Sequence, residues 1–222
     1  MVNVADFAAL PADQVRKLLT VTGLRTHAEL RGTPCLTMTF APPAKKMLAV
    51  TRSFGRSIDT WEEMREAVAT YAETAGTRLR QAGLVAAGMQ VFIHTNSFKP
   101  LWPQYFPTRT FAIEASADTR ALIGSALRAA EDMWRPGYSF SKAGVILLDL
   151  YPAQALPASL FPTRDPARSK ALMAAIDRVT QRHGRSALRA ASTAPEGSWN
   201  MRRRQLSPRY TTTMAEILTV GV

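Results

Sequence analysis

Between residues 46 and 152 the apolar positions change their period repeatedly, and the order of those changes predicts a fold. Met47, Val50 and Phe54 lie in a strand-like run ending at Gly55. Thr60-Trp61-Glu62-Glu63 matches a capping box, in which hydroxyl and carboxylate satisfy the free amides of a helix start. Trp61, Met64, Val68, Tyr71, Ala75 and Leu79 then recur at steps of three or four, one face of a long helix that Gly83 stops. Val91-Phe92-Ile93 reads as a short buried strand, and Ser97 to Pro107, with three prolines, as a loop. Thr108 to Ala115 is β-like, with Phe111 and Ile113 alternating. Asp118 or Thr119 opens a second helix with Leu122, Ile123, Ala126, Leu127, Ala130 and Trp134 on one face, ended by Pro136-Gly137. Tyr138 to Leu150 is a last strand with Val145 to Leu148 as its apolar centre. The order β-α-β-β-α-β predicts the split, ferredoxin-like arrangement: a four-stranded sheet with two helices on one face and the other face open. Such a fold hosts many functions and decides none of them.

The flanks read differently. Val4, Phe7, Leu10, Val15, Leu18 and Leu19 predict short helices over 1–40, with Pro11 starting the second, a turn at Gly23, and a third piece through His27 and Leu30 that Gly32 ends. Ala41-Pro42-Pro43-Ala44 lies in a linker, 41–45, because two prolines resist helix and central strand alike. Pro152, Pro157 and Pro162 break regular structure in a second linker, 153–162. A helix over Pro166 to His183 follows, with Leu172, Met173, Ile176 and Val179 on one face and Gly184 as its cap. The expected class is α+β, with a small α+β segment over 163–222.

The 222 residues carry 28 Lys+Arg against 17 Asp+Glu, a net charge of +11, and are 46% hydrophobic. That hydrophobicity excludes a disordered chain. No apolar run approaches the ~18 residues that span a bilayer, and Met1 to Leu10 has no basic region leading an apolar one, so no secretory signal is expected. Cys35 as the one cysteine excludes an internal disulfide and a cysteine-rich metal site, and a free thiol fits a reducing cytoplasm. The basic excess points to a polyanion, nucleic acid first and an anionic membrane surface second. Residues 1–45 and 46–152 each carry +2, and residues 153–222 carry +7.

Several stretches in order resemble the C-terminal portion of the UmuC family, the catalytic subunit of DNA polymerase V among the Y-family translesion polymerases. They are Glu29-Leu30-Arg31-Gly32-Thr33-Pro34-Cys35, Arg52-Ser53-Phe54-Gly55, Trp134 with Lys142-Ala143-Gly144-Val145, and Trp199 with Met201-Arg202-Arg203 and Leu206-Ser207-Pro208-Arg209-Tyr210-Thr211-Thr212. The resemblance implies a partial thumb over 1–40, the DNA-binding little finger over 46–152, and a C-terminal domain of unassigned function over 163–222. Implied partners are damaged primer-template DNA, a sliding clamp, the polymerase V accessory subunit and a recombinase filament, in SOS damage tolerance and without a membrane. Palm and fingers, with three metal-binding carboxylates, are lacking. Acidic residues here are scattered, and Glu62-Glu63 and Glu131-Asp132 read as solvated helix faces. The expectation is a fragment, a split gene or a truncated chain that is inactive alone. It needs no cofactor of its own, Mg²⁺ belonging to the missing palm.

Thr51, Arg52, Ser53 and Gly55 close the first strand. Arg52 and Ser53 can bond phosphate oxygens, Gly55 lets a backbone approach, and the resemblance implies DNA contact there; the ordinary alternative is an exposed strand end. Thr95, Asn96 and Ser97 end the second strand, and Ser141 and Lys142 lie on the last, as further candidates for sequence-independent contact. Leu160-Phe161 keeps the last two anchors of the family's clamp-binding Gln-Leu-x-Leu-Phe peptide and lacks the first two; the alternative is that Phe161 packs on this protein's own surface. Arg202, Arg203, Arg204 and Arg209 form a basic stretch that suits DNA, an acidic partner or plain solvent. His27, His94 and His183 lack metal-ligand spacing and read as surface or helix-end residues. Cys35 reads as structural, and Trp61, Trp134 and Tyr71 as core. Trp102 and Tyr105, in the proline-rich loop, are the better base-stacking candidates, with loop packing as the alternative. Two other classes compete: a ferredoxin-like module that binds single-stranded nucleic acid through aromatics on its open face, and a module that docks on a clamp or recombinase without touching DNA. The strands lack the aromatic pair that the first of these needs.

Overall fold

A computed structural model describes residues 3–36, 38, 44–155, 164–184, 187–194, 197–201 and 206–217. The chain forms two compact units, residues 1–44 and 45–222. In the first, α1 (Val4–Ala9) is capped by Asn3, whose side chain accepts from the Asp6 amide at 2.9 Å. The break expected at Gly23 falls instead at Thr20, where φ is 61°, inside α2 (Ala12–Leu30). His27 lies in the last turn of α2 and is buried. Its Nε2 is 3.0 Å from the Leu10 carbonyl oxygen, and its ring meets Phe7 edge-on at 5.7 Å, so the imidazole ties α2 to the end of α1.

The second unit contains β1 (Leu48–Ile58), α3 (Trp61–Gln81), β2 (Leu84–Thr95), β3 (Thr108–Ser116), α4 (Thr119–Met133), β4 (Phe140–Pro152) and α5 (Pro166–His183). The sheet is antiparallel throughout, in the order β1-β4-β2-β3. Both βαβ units are split: β4 lies between β1 and β2, and β2 lies between β3 and β4. The inner strands are therefore the second strand of each unit, a point that element order alone leaves open. Pleating sends alternate residues to opposite faces. Leu48, Val50, Val145, Leu147, Met89, Val91 and Ile93 face the helices and are buried with Met64, Val68, Ala72, Ala75 and Leu79 of α3 and Leu122, Ile123 and Ala126 of α4.

The capping box predicted at Thr60 does not form. Thr60 is the N-cap residue, yet its side chain makes no capping bond. Glu63 is already engaged: its carboxylate pairs with Arg56 and accepts from the Ser198 hydroxyl at 2.9 Å. Glu63 and Asp132, read from sequence as solvated, are both ion-paired, Asp132 with Arg109. At α4 the expected start holds, because Asp118 caps it by accepting from the Arg120 amide at 2.8 Å.

Residues beyond β4 pack on the same core. Arg80 of α3 grips Asp177 of α5 through two bonds of 2.7 Å, and its remaining nitrogen donates to the Ala117 carbonyl and the Thr119 hydroxyl. Ser169 donates to Asp118 at 2.6 Å, and Met173 is buried against the start of α4. The chain then follows α3, where the amides of Ala190 and Ala194 donate to Glu73 and Thr70. It ends its run at β1. There Trp199 is 2% exposed, edge-on to Phe54 at 5.9 Å and Tyr71 at 5.8 Å, and its carbonyl accepts from the Gly55 amide at 2.9 Å. Among the described residues after Pro152 there is one α-helix and a 3₁₀ turn at Met214–Glu216, and no strand. The β component expected over 163–222 is thus missing from them. The apolar material that would have made a separate core is instead spent on the little sheet's helices.

Candidate nucleic-acid interface

The face of the sheet opposite α3 and α4 is built by register. Thr51 pairs with Gly144, which pairs with Phe92, which pairs with Thr108. One step along, Ser53 pairs with Lys142 and Lys142 with His94. Each of these positions alternates with a residue of the buried face, so all point away from the helices. The row through Gly144 depends on that glycine. A Cβ there would come within 2.5 Å of Thr51 Cγ2 and 2.6 Å of Phe92 Cε1, so only a bare strand lets the Phe92 ring lie across it. The Lys142 ammonium stands 5.7 Å from the Phe92 ring centre, a cation–π contact. His94 stacks obliquely on Phe92 at 4.6 Å and meets Phe106 edge-on at 5.6 Å. Burial and the Lys142 charge hold the His94 imidazole below its ordinary value, so it is neutral at pH 7 and Lys142 is the cation of the row.

Most acidic residues of the domain lie on the helix side. Of the ten acidic residues in 46–152, seven (Glu62, Glu63, Glu66, Glu73, Asp118, Glu131 and Asp132) lie on α3, on α4 or at the α4 cap. From Lys45 to Ile58, and again from Leu84 to Ile113, there is no acidic residue. The same helices carry Arg65, Arg78, Arg80, Arg120 and Arg128, and Glu114 lies on β3, so what distinguishes the open face is a group of hydroxyls, Thr51, Ser53, Thr108 and Thr110, around Lys142.

The structure brings together only some of the residues expected from sequence. Thr51, Ser53 and Lys142 share the open face. Arg52 alternates to the other side of edge strand β1, where its charge acts on Tyr71, whose hydroxyl burial pushes well above its ordinary value. Gly55 has a different neighbour from the one expected: a Cβ there would lie 2.5 Å from the Asn200 carbonyl oxygen, so the close-approaching backbone is the protein's own. Thr95 is buried, and its hydroxyl accepts from the Tyr105 amide at 2.9 Å and lies 3.2 Å from the Tyr105 carbonyl, so it anchors the loop. Asn96 caps the same loop by accepting from the Phe98 amide, and Ser97 is exposed beside it. The Ser141 hydroxyl turns inward to the His94 carbonyl at 3.4 Å. Arg209 is held by Glu216. Leu160, Phe161, Arg202, Arg203 and Arg204 lie outside the described residues.

Phe92, His94 and Phe106 form an aromatic trio that the sequence does not show as a group; Phe92 is buried and Phe106 lies on the loop, so the trio is not the strand-borne stacking pair expected of a single-strand reader. The shared side of Phe92 and His94 follows from the strand period: with Val91 and Ile93 in the core, positions 92 and 94 must share the opposite face. Tyr105 packs on Tyr138 at 4.9 Å and donates to the Met133 carbonyl, so of the two loop candidates Trp102 is the exposed one. Among the described residues no three His, Cys, Asp or Glu side chains gather to hold a metal ion. No described helix is long and apolar enough to cross a membrane.

Comparison with known proteins finds relatives along nearly the whole chain. The chain is 34% identical over 208 residues to the protein UmuC of Salmonella typhimurium, covering 93% of this chain and 49% of that protein. It is 36% identical over 212 residues to MucB of Escherichia coli, covering 95% and 50%. Against SamB of Salmonella typhimurium it is 35% identical over 207 residues, covering 91% and 48%. The chain thus spans about half the length of these relatives. Residues 170–220, which contain most of α5 and the segment reaching β1, match a family described as a domain of unknown function (DUF4113). Residues 45–160, more than half of the chain and the whole of the sheet with its two helices, match the impB/mucB/samB family C-terminal domain, and the chain belongs to that family.

Proposed function

We propose that this chain is the DNA-binding C-terminal part of an error-prone translesion DNA polymerase acting in SOS damage tolerance. It grips the backbone of a primer-template without sequence preference. The observation that carries the reading is the open sheet face, where Lys142 stands among the hydroxyls of Thr51, Ser53 and Thr108. Hydroxyls and an ammonium meet phosphate oxygens and read no bases. Lys142→Glu is expected to weaken binding of a primer-template duplex roughly tenfold and to lower the salt slope of log affinity by about one. Arg52→Glu, across the strand, is expected to cost less. Unchanged affinity in Lys142→Glu, measured by fluorescence anisotropy at two salt concentrations, would overturn the reading.

Synthesis by this chain alone is not expected, because the described residues do not assemble the carboxylate cluster that holds Mg²⁺ in two-metal phosphoryl transfer. A primer-extension assay tests this, and template-dependent extension would refute it. Docking to a sliding clamp through Leu160-Phe161 belongs to the same proposal. A peptide spanning 154–163 titrated against the clamp checks it, and no binding at high micromolar concentration would end it. The accessory subunit and recombinase filament are proposed partners of the whole polymerase.

A further inference from the structure

The loop between β2 and β3, Asn96 to Pro107, combines a rigid frame with a bare apolar surface. The Gln104 amide nitrogen fans across three carbonyls of the loop, those of Asn96, Lys99 and Trp102, at 3.2, 2.8 and 3.0 Å. Thr95 closes its base on Tyr105, and Tyr105 is pinned to α4 through the Met133 carbonyl at 3.1 Å. A loop so braced is ordered before any partner arrives, so binding to it costs little conformational entropy. Yet Phe98 is 92% exposed, Leu101 98%, Trp102 54% and Phe106 47%. Apolar side chains held out in water on a stiff support mark an interaction surface.

The chemistry around them narrows the occupant. The loop has no acidic residue, and its one charge is Lys99, whose ammonium stands 4.9 Å over the Trp102 ring. A cavity of about 120 Å³, mixed in polarity, opens beside that pair, with Asn96, Lys99, Trp102, Pro103 and Gln104 of the loop in its lining. Phe106 joins the loop to His94 and so to the Lys142 row of the sheet. A purely apolar partner would match the rings but gain nothing from cations set beside them. A ligand with flat π faces strung on phosphates matches both, and that ligand is single-stranded nucleic acid.

We propose that the β2–β3 loop is a stacking platform for unpaired nucleobases, with Trp102 and Phe98 as the stacking faces and Lys99 meeting the adjoining phosphate. The platform rests on the reading of the sheet as a backbone grip, and it extends that grip from duplex to the single strand next to it.

The test uses the 222-residue chain with two probes, a short single-stranded oligonucleotide containing 2-aminopurine and a blunt duplex of equal length. The double variant Phe98→Ala/Trp102→Ala is expected to lose roughly tenfold or more in single-strand affinity, in line with stacking losses at aromatic platforms. It should also lose the 2-aminopurine quenching, and hold duplex affinity within about twofold. Trp102→Phe keeps a π face and should restore most of the binding. Both side chains are exposed, so the variants fold, and an unchanged thermal midpoint verifies it. Lys142→Glu separates the two proposals, because its failure to weaken duplex binding sinks the sheet reading while leaving the loop result to stand by itself. Equal single-strand affinity in the double variant overturns the platform. So does a result in which the double variant abolishes sedimentation with anionic lipid vesicles but spares the oligonucleotide, which would make the loop a membrane anchor.

Discussion

Replacing Trp199 with alanine is expected to lower the unfolding free energy of the 45–222 unit by about 4 kcal/mol, in the range for a fully buried aromatic truncated to a methyl. The ring is 2% exposed and closes the core between Phe54 of β1 and Tyr71 of α3. Truncation leaves a cavity lined by those two rings, and the backbone around it cannot collapse freely, because the Trp199 carbonyl is bonded to the Gly55 amide. Denaturant titration of full-length wild type and variant gives the number. A loss below about 1 kcal/mol would show that residues 197–201 are a passive tail. Gly55→Val probes the same contact from the other side. Its Cβ would collide with the Asn200 carbonyl, so the segment must lift away. The two changes act on one contact and should be clearly less than additive when combined, whereas independent sites would simply add.

The second large effect concerns the junction of α4 and α5. Asp118 is 3% exposed, caps α4, accepts from the Arg120 guanidinium at 2.7 Å and from the Ser169 hydroxyl at 2.6 Å. Burial alone would raise its pKa, but the bonds from Arg120 and Ser169 outweigh it and bring the carboxyl from 3.8 down to about 2. A carboxyl whose folded value is depressed stabilises the fold above its unfolded value and loses that contribution as pH falls through the folded one. Asp118→Ala is expected to cost about 3 kcal/mol at pH 7, from the lost cap and the charged hydrogen bonds. The difference in stability between wild type and Asp118→Asn should be constant above about pH 5 and shrink between about pH 5 and 2, where the unfolded carboxyl takes up its proton before the folded one does. A difference independent of pH over that range would mean that shape, not charge, is what Asp118 supplies.

Much of this fold was legible in the sequence because it is written in strong local patterns. α3 and α4 show apolar residues at steps of three and four, and α5 lies at its expected bounds of Pro166 and His183. β2 was only half legible. Its first part, Leu84-Val85-Ala86-Ala87-Gly88-Met89-Gln90, has neither alternation nor β-branched enrichment, because Ala86, Ala87 and Gly88 carry too little side chain to show a period. The candidate site was legible as a set of residue types but not as a surface. Arg52 and Ser53 are adjacent in sequence and opposite in space, and only the pairing of Ser53 with Lys142 tells which of them joins the row. Thr95 has the chemistry of a phosphate ligand, yet its hydroxyl is committed to Tyr105, ten residues away. Nothing local marks Trp199 as a core residue of a sheet whose first strand lies more than 140 residues earlier, since such contacts obey no sequence period.

The seven acidic residues on the helix side are offset by Arg65, Arg78 and Arg80 of α3 and Arg120 and Arg128 of α4, so residues 46–152 have little field with which to steer a polyanion from afar. The Lys142 row then acts only once contact is made. Salt, which screens charges beyond about 8 Å at physiological ionic strength, should therefore change the dissociation rate more than the association rate.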